Sequence, residues 1–363
     1  MQLTRDQVLA HRVRVQQLDR SSGTVADTAV LDLGVQDSGP DGASWALAVR
    51  GVERPPSCDL VLAWTLRGAP HCYRRADLPS VARAVQPWSD ADAAKRIFDA
   101  AKPLKAAGIG NLQALDEVAA ALRAVVTAPT VKGDVSGALN ARLPEPYLRH
   151  CRPCDAVHIH EQPFRLAALR AGLELLPDTS PPVLQPVPGF ELAEQAEPRH
   201  DVVRACLHLL GPATHSDVAG YVDAPVAEVK RRWPQDAVPV RVDGQPAWAL
   251  EPDLPALAGA DRVSTTRLLG PFDLLLQGRD RWLLVDDPAR AKALWPVLGR
   301  PGAVLVDGEL VGTWRPRQGA GRLRVLLDLW RELPDRSAVE QQAARLAAQR
   351  CVQLTGVEVT SSG

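Results

Sequence analysis

Between residues 201 and 250 the apolar positions change their spacing, and the change makes this the most legible part of the chain. In DVVRACLHLLGP, Val202, Val203, Cys206, Leu209 and Leu210 fall on one face at helical spacing, and Gly211-Pro212 stops the run. THSDVAGYV opens with Thr214-x-x-Asp217, a capping box, and predicts a second short helix. DAPVAEVKRRWP predicts a third, with Asp223 as its cap and Pro225 in the first turn; Val226, Val229 and Trp233 face inward, and Lys230, Arg231 and Arg232 make its end basic before Pro234. VPVRVDGQPAWAL then reads as two strands around Asp243-Gly244, a tight-hairpin signal.

Helix, helix, basic helix and hairpin is the order of a winged helix, and it can be traced again at the N-terminus. Residues 4–19 predict a helix with Val8, Leu9, Val13 and Leu18 inward, residues 24–35 a second, SWALAVRGV a third, and DLVLAWTLRGAPHCYRR a strand pair broken at residues 68–70. Residues 90–127 read as two helices separated by AAGIGN, followed by a helix-turn-helix step in TVKGDVSGALNARLP, a decorated second copy. From residue 255 strands dominate: RWLLVDD, then AVLV turning at Asp307-Gly308 into ELVGTWR, then RLRVLLDLW. A closing helix is expected from the capping box Ser337-x-x-Glu340. The expected fold class is α+β, with tandem winged-helix repeats around a strand-rich, barrel-like C-terminal part. Its expected divisions are 1–84, 85–190, 191–255 and 256–363.

Bulk composition narrows the class without choosing a function. A chain of 363 residues is long enough for several domains, and 46% apolar with 23% charged residues excludes wholesale disorder. The net charge of −1 carries no global basic signature, so any contact with nucleic acid must come from local patches. The charged start MQLTRDQVLAHRVRVQQLDR lacks the apolar core of a signal peptide, and no apolar run approaches the ~18 residues of a membrane span, so a soluble cytoplasmic protein is expected. Six cysteines are too sparse for a disulfide scaffold; Cys58, Cys72, Cys206 and Cys351 stand in apolar or strand-like contexts that suit buried, reduced thiols.

Three clusters could carry chemistry. In LDLGVQDSGP, Gln36, Asp37 and Ser38 follow the apolar Val30, Leu31, Leu33 and Val35 and precede Gly39-Pro40, so they are either a helix-ending polar turn or a site. In CRPCDAVHIH, Cys151, Cys154, His158 and His160 are the residue types of a zinc site, but His-x-His is a tight half-site and the sequence runs at once into a helix. The reading favours no metal, with a structural zinc as the alternative. The loop TWRPRQGAGR carries Arg315, Arg317 and Arg322, and QGRDRW carries Arg279 and Arg281. Such charged turns are mostly solvated tips, yet arginines also suit phosphate and minor-groove contact.

Taken in order, GVQDS, WTLRGAPH, HEQPFRLAALRAGLEL, LLGPFDLLLQGRDR and VLVDGELVGTWR resemble segments of the AlkZ and YcaQ family of bacterial DNA glycosylases, a resemblance that runs over nearly the whole chain. The family's catalytic motif is Gln-apolar-Gln or Gln-apolar-Asp. Gln36 matches its first position, while Asp37 replaces the apolar middle residue and Ser38 stands third. An extended segment would put Gln36 and Ser38 on one face, whereas a turn would bring Asp37 in; the sequence leaves both open. His71 matches a histidine of the family's first hairpin and is expected at the DNA or the active site; Arg67 is expected to bind DNA as well and, with Gly68, to shape the turn. The family probes the groove with a hairpin, a role for which Arg315 and Arg317 compete with Arg279 and Arg281.

The chemistry suits so spare a residue set. A purine alkylated on a ring nitrogen is already cationic and leaves without strong acid help, so a site need only hold a water and tolerate an oxocarbenium-like sugar. The resemblance thus implies a monofunctional glycosylase acting on alkylated, bulky purine adducts in double-stranded DNA. It further implies no cofactor, no membrane, a monomer, and a place in self-resistance to a DNA-alkylating natural product. The competing reading is a non-enzymatic winged-helix transcription regulator, the commoner use of that module.

Overall fold

A computed structural model describes residues 1–152 and 155–360. The first helix, Arg5–Val15, starts where Thr4 and Gln7 cap each other's backbone, and Val8, Leu9 and Val13 are buried. The second N-terminal helix expected at 24–35 does not form. Residues Ala29–Asp32 make one 3-10 turn, and the chain then turns at Gly34, whose φ of +89° and contact with the Tyr73 ring leave no room for a side chain. The strand Val35–Gln36 follows, then the helix Gly42–Ala48 in place of the third.

Among the described residues, a six-stranded sheet runs in the spatial order Val35–Gln36, Pro70–Arg74, Leu60–Trp64, Leu173–Leu175, Val183–Pro186 and Thr130–Val131. The helices Asp90–Arg96, Ala101–Ala106 and Asn111–Val125 occupy the expected 90–127 region, and TVKGDVSGALNARLP supplies a short strand and the single helix Lys132–Asn140. From 202 to 250 the sequence reading holds closely. Helices Val202–Leu210, His215–Val222 and Val226–Arg231 precede strands Ala237–Val242 and Gln245–Leu250, joined at Asp243-Gly244 with both residues at positive φ. One cap moves: Asp223 closes the second helix in the left-handed conformation instead of opening the third. The N-terminal strand Gln2–Leu3 adds in parallel to this hairpin, so the first helix is tied to the unit from its start.

The strand-rich C-terminal part is an open sheet, not a barrel. Its order is Thr266–Leu269, Gly302–Val306, Glu309–Gly319, Arg322–Leu329, Gln353–Val359, and the helix Arg336–Gln349 packs on both edge strands, filling the place where closure would occur. RWLLVDD forms a 3-10 turn at Arg281–Leu283 and not a strand, because Arg12 grips Asp280 and the Leu283 carbonyl accepts from Arg5 Nε at 2.7 Å. Asp335, not Ser337, caps the last helix; Glu340 pairs with Arg336. Cys72 and Cys206 are buried as expected, but Cys58 and Cys351 are exposed.

Two cores meet at the helix Gly42–Ala48. Trp45 packs with Leu9, Leu268 and Val304, while Leu47 packs with Leu31, Leu33, Val203, Cys206 and Val222. Trp45 Nε1 donates to the Leu268 carbonyl at 2.7 Å. Trimming a buried leucine of this kind to alanine costs about 2–5 kcal/mol, so the segment just before the helix, residues 36–41, is held from both sides.

Candidate functional site

Gln36 closes the short strand opposite His71, with Val35 opposite Cys72, and the Asp37 N–H still donates to the Pro70 carbonyl at 2.9 Å. The chain is therefore extended through Gln36 to Ser38. Gln36 Nε2 donates to Ser38 Oγ at 2.9 Å, which puts these two side chains together on one face. Asp37 points elsewhere: its Oδ1 accepts the Ala43 N–H at 2.8 Å, at the start of the helix Gly42–Ala48. Burial raises the Asp37 pKa, against the lowering effect of that hydrogen bond, and Asp178 and Asp41 raise it further. Asp37 lines a groove on the far side of the strand with Cys72, Leu62 and Phe190.

The carbonyl of Gln36 is fixed by an arginine that the tight turn delivers. Arg67 sits at φ +60° and Gly68 at +66°, and a side chain at 68 would meet Gln162. From there Arg67 Nη2 donates to Gln36 Oε1 at 3.1 Å and to Gln277 Oε1 at 2.7 Å, Nη1 donates to the Tyr221 carbonyl at 2.6 Å, and the guanidinium lies over the Tyr221 ring. Gln277 Nε2 in turn donates to the Phe272 carbonyl at 2.7 Å. The loop carrying Gln277 is fastened at both ends by buried ion pairs. Arg50 grips Asp273 at 2.7 and 2.9 Å, with side chains 1% and 0% exposed, and Arg12 grips Asp280. Such pairs hold geometry more than they add stability.

The cationic side chains converge here despite the neutral total. Arg279 packs on Gly220; burial lowers its pKa first, and Arg67, Arg281 and Arg300 lower it further. Arg281 stacks over Trp295 and is lowered by burial and Arg300. Arg315 and Arg317 lie exposed on the strand Glu309–Gly319, not in a loop: the turn itself is Ala320-Gly321. Together with Arg300, Pro301 and Ser38 they line a cleft of about 450 Å³. Of the two arginine pairs named from the sequence, Arg315 and Arg317 border the cleft that Ser38 lines, while Arg279 lines a separate cleft with Asp217 and Trp282. Gln277 and Arg300 were missed. Gln277 ends the apolar run LLLQ as Gln36 ends LGVQ, which was the available signal.

His71, directly opposite Gln36 and so on the same face of the sheet, is fully buried beside it. Its Nδ1 lies 3.0 Å from both Thr65 Oγ1 and the Ala69 carbonyl, and Thr65 Oγ1 also lies 2.8 Å from Tyr73 Oη. Burial, then Arg67, lowers its pKa to about 3, so the ring is neutral. It flanks Gln36 from the neighbouring strand and has no surface to offer DNA. The second cluster is not assembled among the described residues. Cys154 lies outside them, Cys151 and His158 share one face of the hairpin 148–159, and His160 turns inward to Asp99 at 3.6 Å.

Ser38, hydrogen-bonded to Gln36, thus stands on a cleft that Arg300, Arg315 and Arg317 line. The chain belongs to the AlkZ-like family of DNA glycosylases, which it matches over residues 56–349, a stretch that begins after Gln36 and includes Arg67, His71, Gln277 and Arg279. Its fold is similar to that of Streptomyces sahachiroi DNA glycosylase AlkZ, with a TM-score of 0.74 over 99% of this chain and 100% of that one, at 22% identity. A comparison with curated proteins gives no match. Membership of the family makes DNA the partner, and no helix among the described residues is long and apolar enough to cross a membrane.

Proposed function

We infer that the chain hydrolyses the N-glycosidic bond of alkylated purines in duplex DNA, and that Gln36 and Ser38 are its catalytic pair. The observation that carries this is the extended Gln36–Ser38 segment with the Gln36 amide held at both ends, by Arg67 and by Ser38. Because Ser38 Oγ accepts from Gln36, its own proton is free for a water or a sugar oxygen, and the second lone pair of Gln36 Oε1 can accept from the same water. A cationic alkylated base needs no stronger acid, and a water held beside the sugar completes hydrolysis without a covalent intermediate. Asp37, turned to the helix Gly42–Ala48, acts on the position of this segment and not on the reacting atoms.

Arg300, Arg315 and Arg317 on the cleft, and Arg279 and Arg281 just after Gln277, suit phosphates of the duplex. A cleft open to solvent suits bulky ring-nitrogen adducts better than a tight base-flipping pocket does. We read residues 191–255 as a winged helix, 1–84 and 85–190 as its modified relatives, and the whole as a monomer of a specialised, self-protecting branch. The test is incubation with a duplex alkylated at purine ring nitrogens, followed by heat or base. Strand breaks at the adducted purines support the reading, and an intact strand contradicts it.

A further inference from the structure

The most exposed large apolar side chains of the described residues are neighbours: Val297 is 93% and Leu298 86% exposed. Exposed valines and leucines scattered singly need no explanation, but two side by side at one loop tip, with nothing packed on them, call for one. The loop is short. It leaves Trp295, whose Nε1 donates to the Leu276 carbonyl at 3.0 Å, passes Pro296, turns at Gly299 with φ +64°, and re-enters the sheet through Pro301 and Gly302.

It is also tied to the cationic cleft. Arg315 Nη1 donates to the Gly299 carbonyl at 2.7 Å, Arg300 Nε donates to the Pro296 carbonyl at 3.4 Å, and the Arg300 guanidinium stands over Phe272. Arg300, Pro301, Arg315 and Arg317 line the same cleft as Ser38. An apolar tip flanked by arginines has the composition of a wedge that enters between base pairs while the cations hold the flanking phosphates.

We propose that Val297 and Leu298 are such a wedge, inserted at a base step of the duplex beside the adduct to open the helix toward Gln36. This rests on the glycosylase reading above. Unstacking a step loses base–base contact, and the wedge supplies apolar contact in its place. It thereby brings the sugar to the Gln36–Ser38 face without requiring a bulky base to leave the helix.

The experiment compares the full chain with Val297→Ser/Leu298→Ser and with the apolar-preserving Val297→Leu/Leu298→Met, on an alkylated duplex carrying 2-aminopurine next to the lesion. The expected result is a rise in 2-aminopurine fluorescence when the unmodified chain binds. The serine variant abolishes that rise and slows single-turnover excision about tenfold to a hundredfold, at a rate of tenfold per 1.4 kcal/mol. The Leu/Met variant restores both, and all three chains melt alike. Excision by the unmodified chain with silent fluorescence and an unaffected serine variant overturns the wedge alone. A chain that is dimeric in sedimentation and made monomeric by the serines, with fluorescence unchanged, also overturns it by showing that the tip serves self-association. No excision by the unmodified chain overturns the glycosylase reading, and the wedge with it.

Discussion

Arg67 donates to Gln36 across the first hairpin, Nη2 to Oε1 at 3.1 Å, from a left-handed backbone position that places the guanidinium over Tyr221. The orientation of the candidate catalytic amide is therefore set by a residue from another strand pair. Replacing Arg67 by alanine frees the Gln36 carbonyl, and the single-turnover excision rate should fall on the order of 10²-fold, the size of effect that small misplacement produces. Lysine should not rescue it, because a point charge cannot span Gln36, Gln277 and the Tyr221 carbonyl as a planar fork does. Since those acceptors already occupy the guanidinium, the salt dependence of DNA binding should stay unchanged; a slope reduced by about one would mean that Arg67 contacts a phosphate instead.

Asp37 gives a prediction about stability and pH. Its pKa when folded lies above the ordinary 3.8, chiefly through burial. The folded state binds this proton more tightly than the unfolded one, so stability associated with Asp37 falls as pH rises from 3.8 through the folded value. Below that range the carboxyl is protonated in both states and there is no penalty. Asp37→Asn keeps an oxygen for the Ala43 N–H, so in denaturant melts it should match the parent near pH 3 and exceed it at pH 7. A variant weaker than its parent at pH 7 would show that the carboxylate is compensated in the folded protein.

The ion pair Arg50–Asp273 should matter for the site as well as for the fold. Asp273→Asn leaves a buried guanidinium without its counter-charge and should cost about 3–5 kcal/mol. If the pair positions Gln277 and thereby Arg67, excision measured well below the variant's melting temperature should also slow. Full activity in a destabilised variant would make the pair a fold element only.

Legibility along the sequence followed the range of the forces. The 202–250 unit was readable because capping boxes, Gly-Pro stops and Asp-Gly turns are decided by neighbours in the chain. Residues 24–35 were not, since Gly34 against Tyr73 and Asp32 with Arg74 at 2.5 Å are contacts from a distant strand that displace a helix the local pattern allows. Arg281–Leu283 failed as a strand for the same reason, through Arg12 and Arg5. At the site, position in the sequence points to Gln36, Asp37 and Ser38 together and leaves open whether Asp37 or Ser38 joins Gln36; that choice depends on pairing with residues 70–72. His71 was expected at the DNA or at the active site; it is buried beside Gln36 on the paired strand, without surface for DNA, because a strand residue's burial is fixed only once its sheet is assembled.

The central claim is that Gln36 and Ser38 act together on one face while Asp37 supports them from the other. Single-turnover excision from a duplex alkylated at purine ring nitrogens, run side by side for Gln36→Ala, Ser38→Ala and Asp37→Asn with DNA affinity measured for each, tests it most directly. Gln36→Ala should lose ~10²–10⁴-fold, Ser38→Ala should lose less but clearly, and Asp37→Asn should change little, all at near-parental affinity. Parental rates for both Gln36→Ala and Ser38→Ala, or a loss confined to Asp37→Asn, would contradict it.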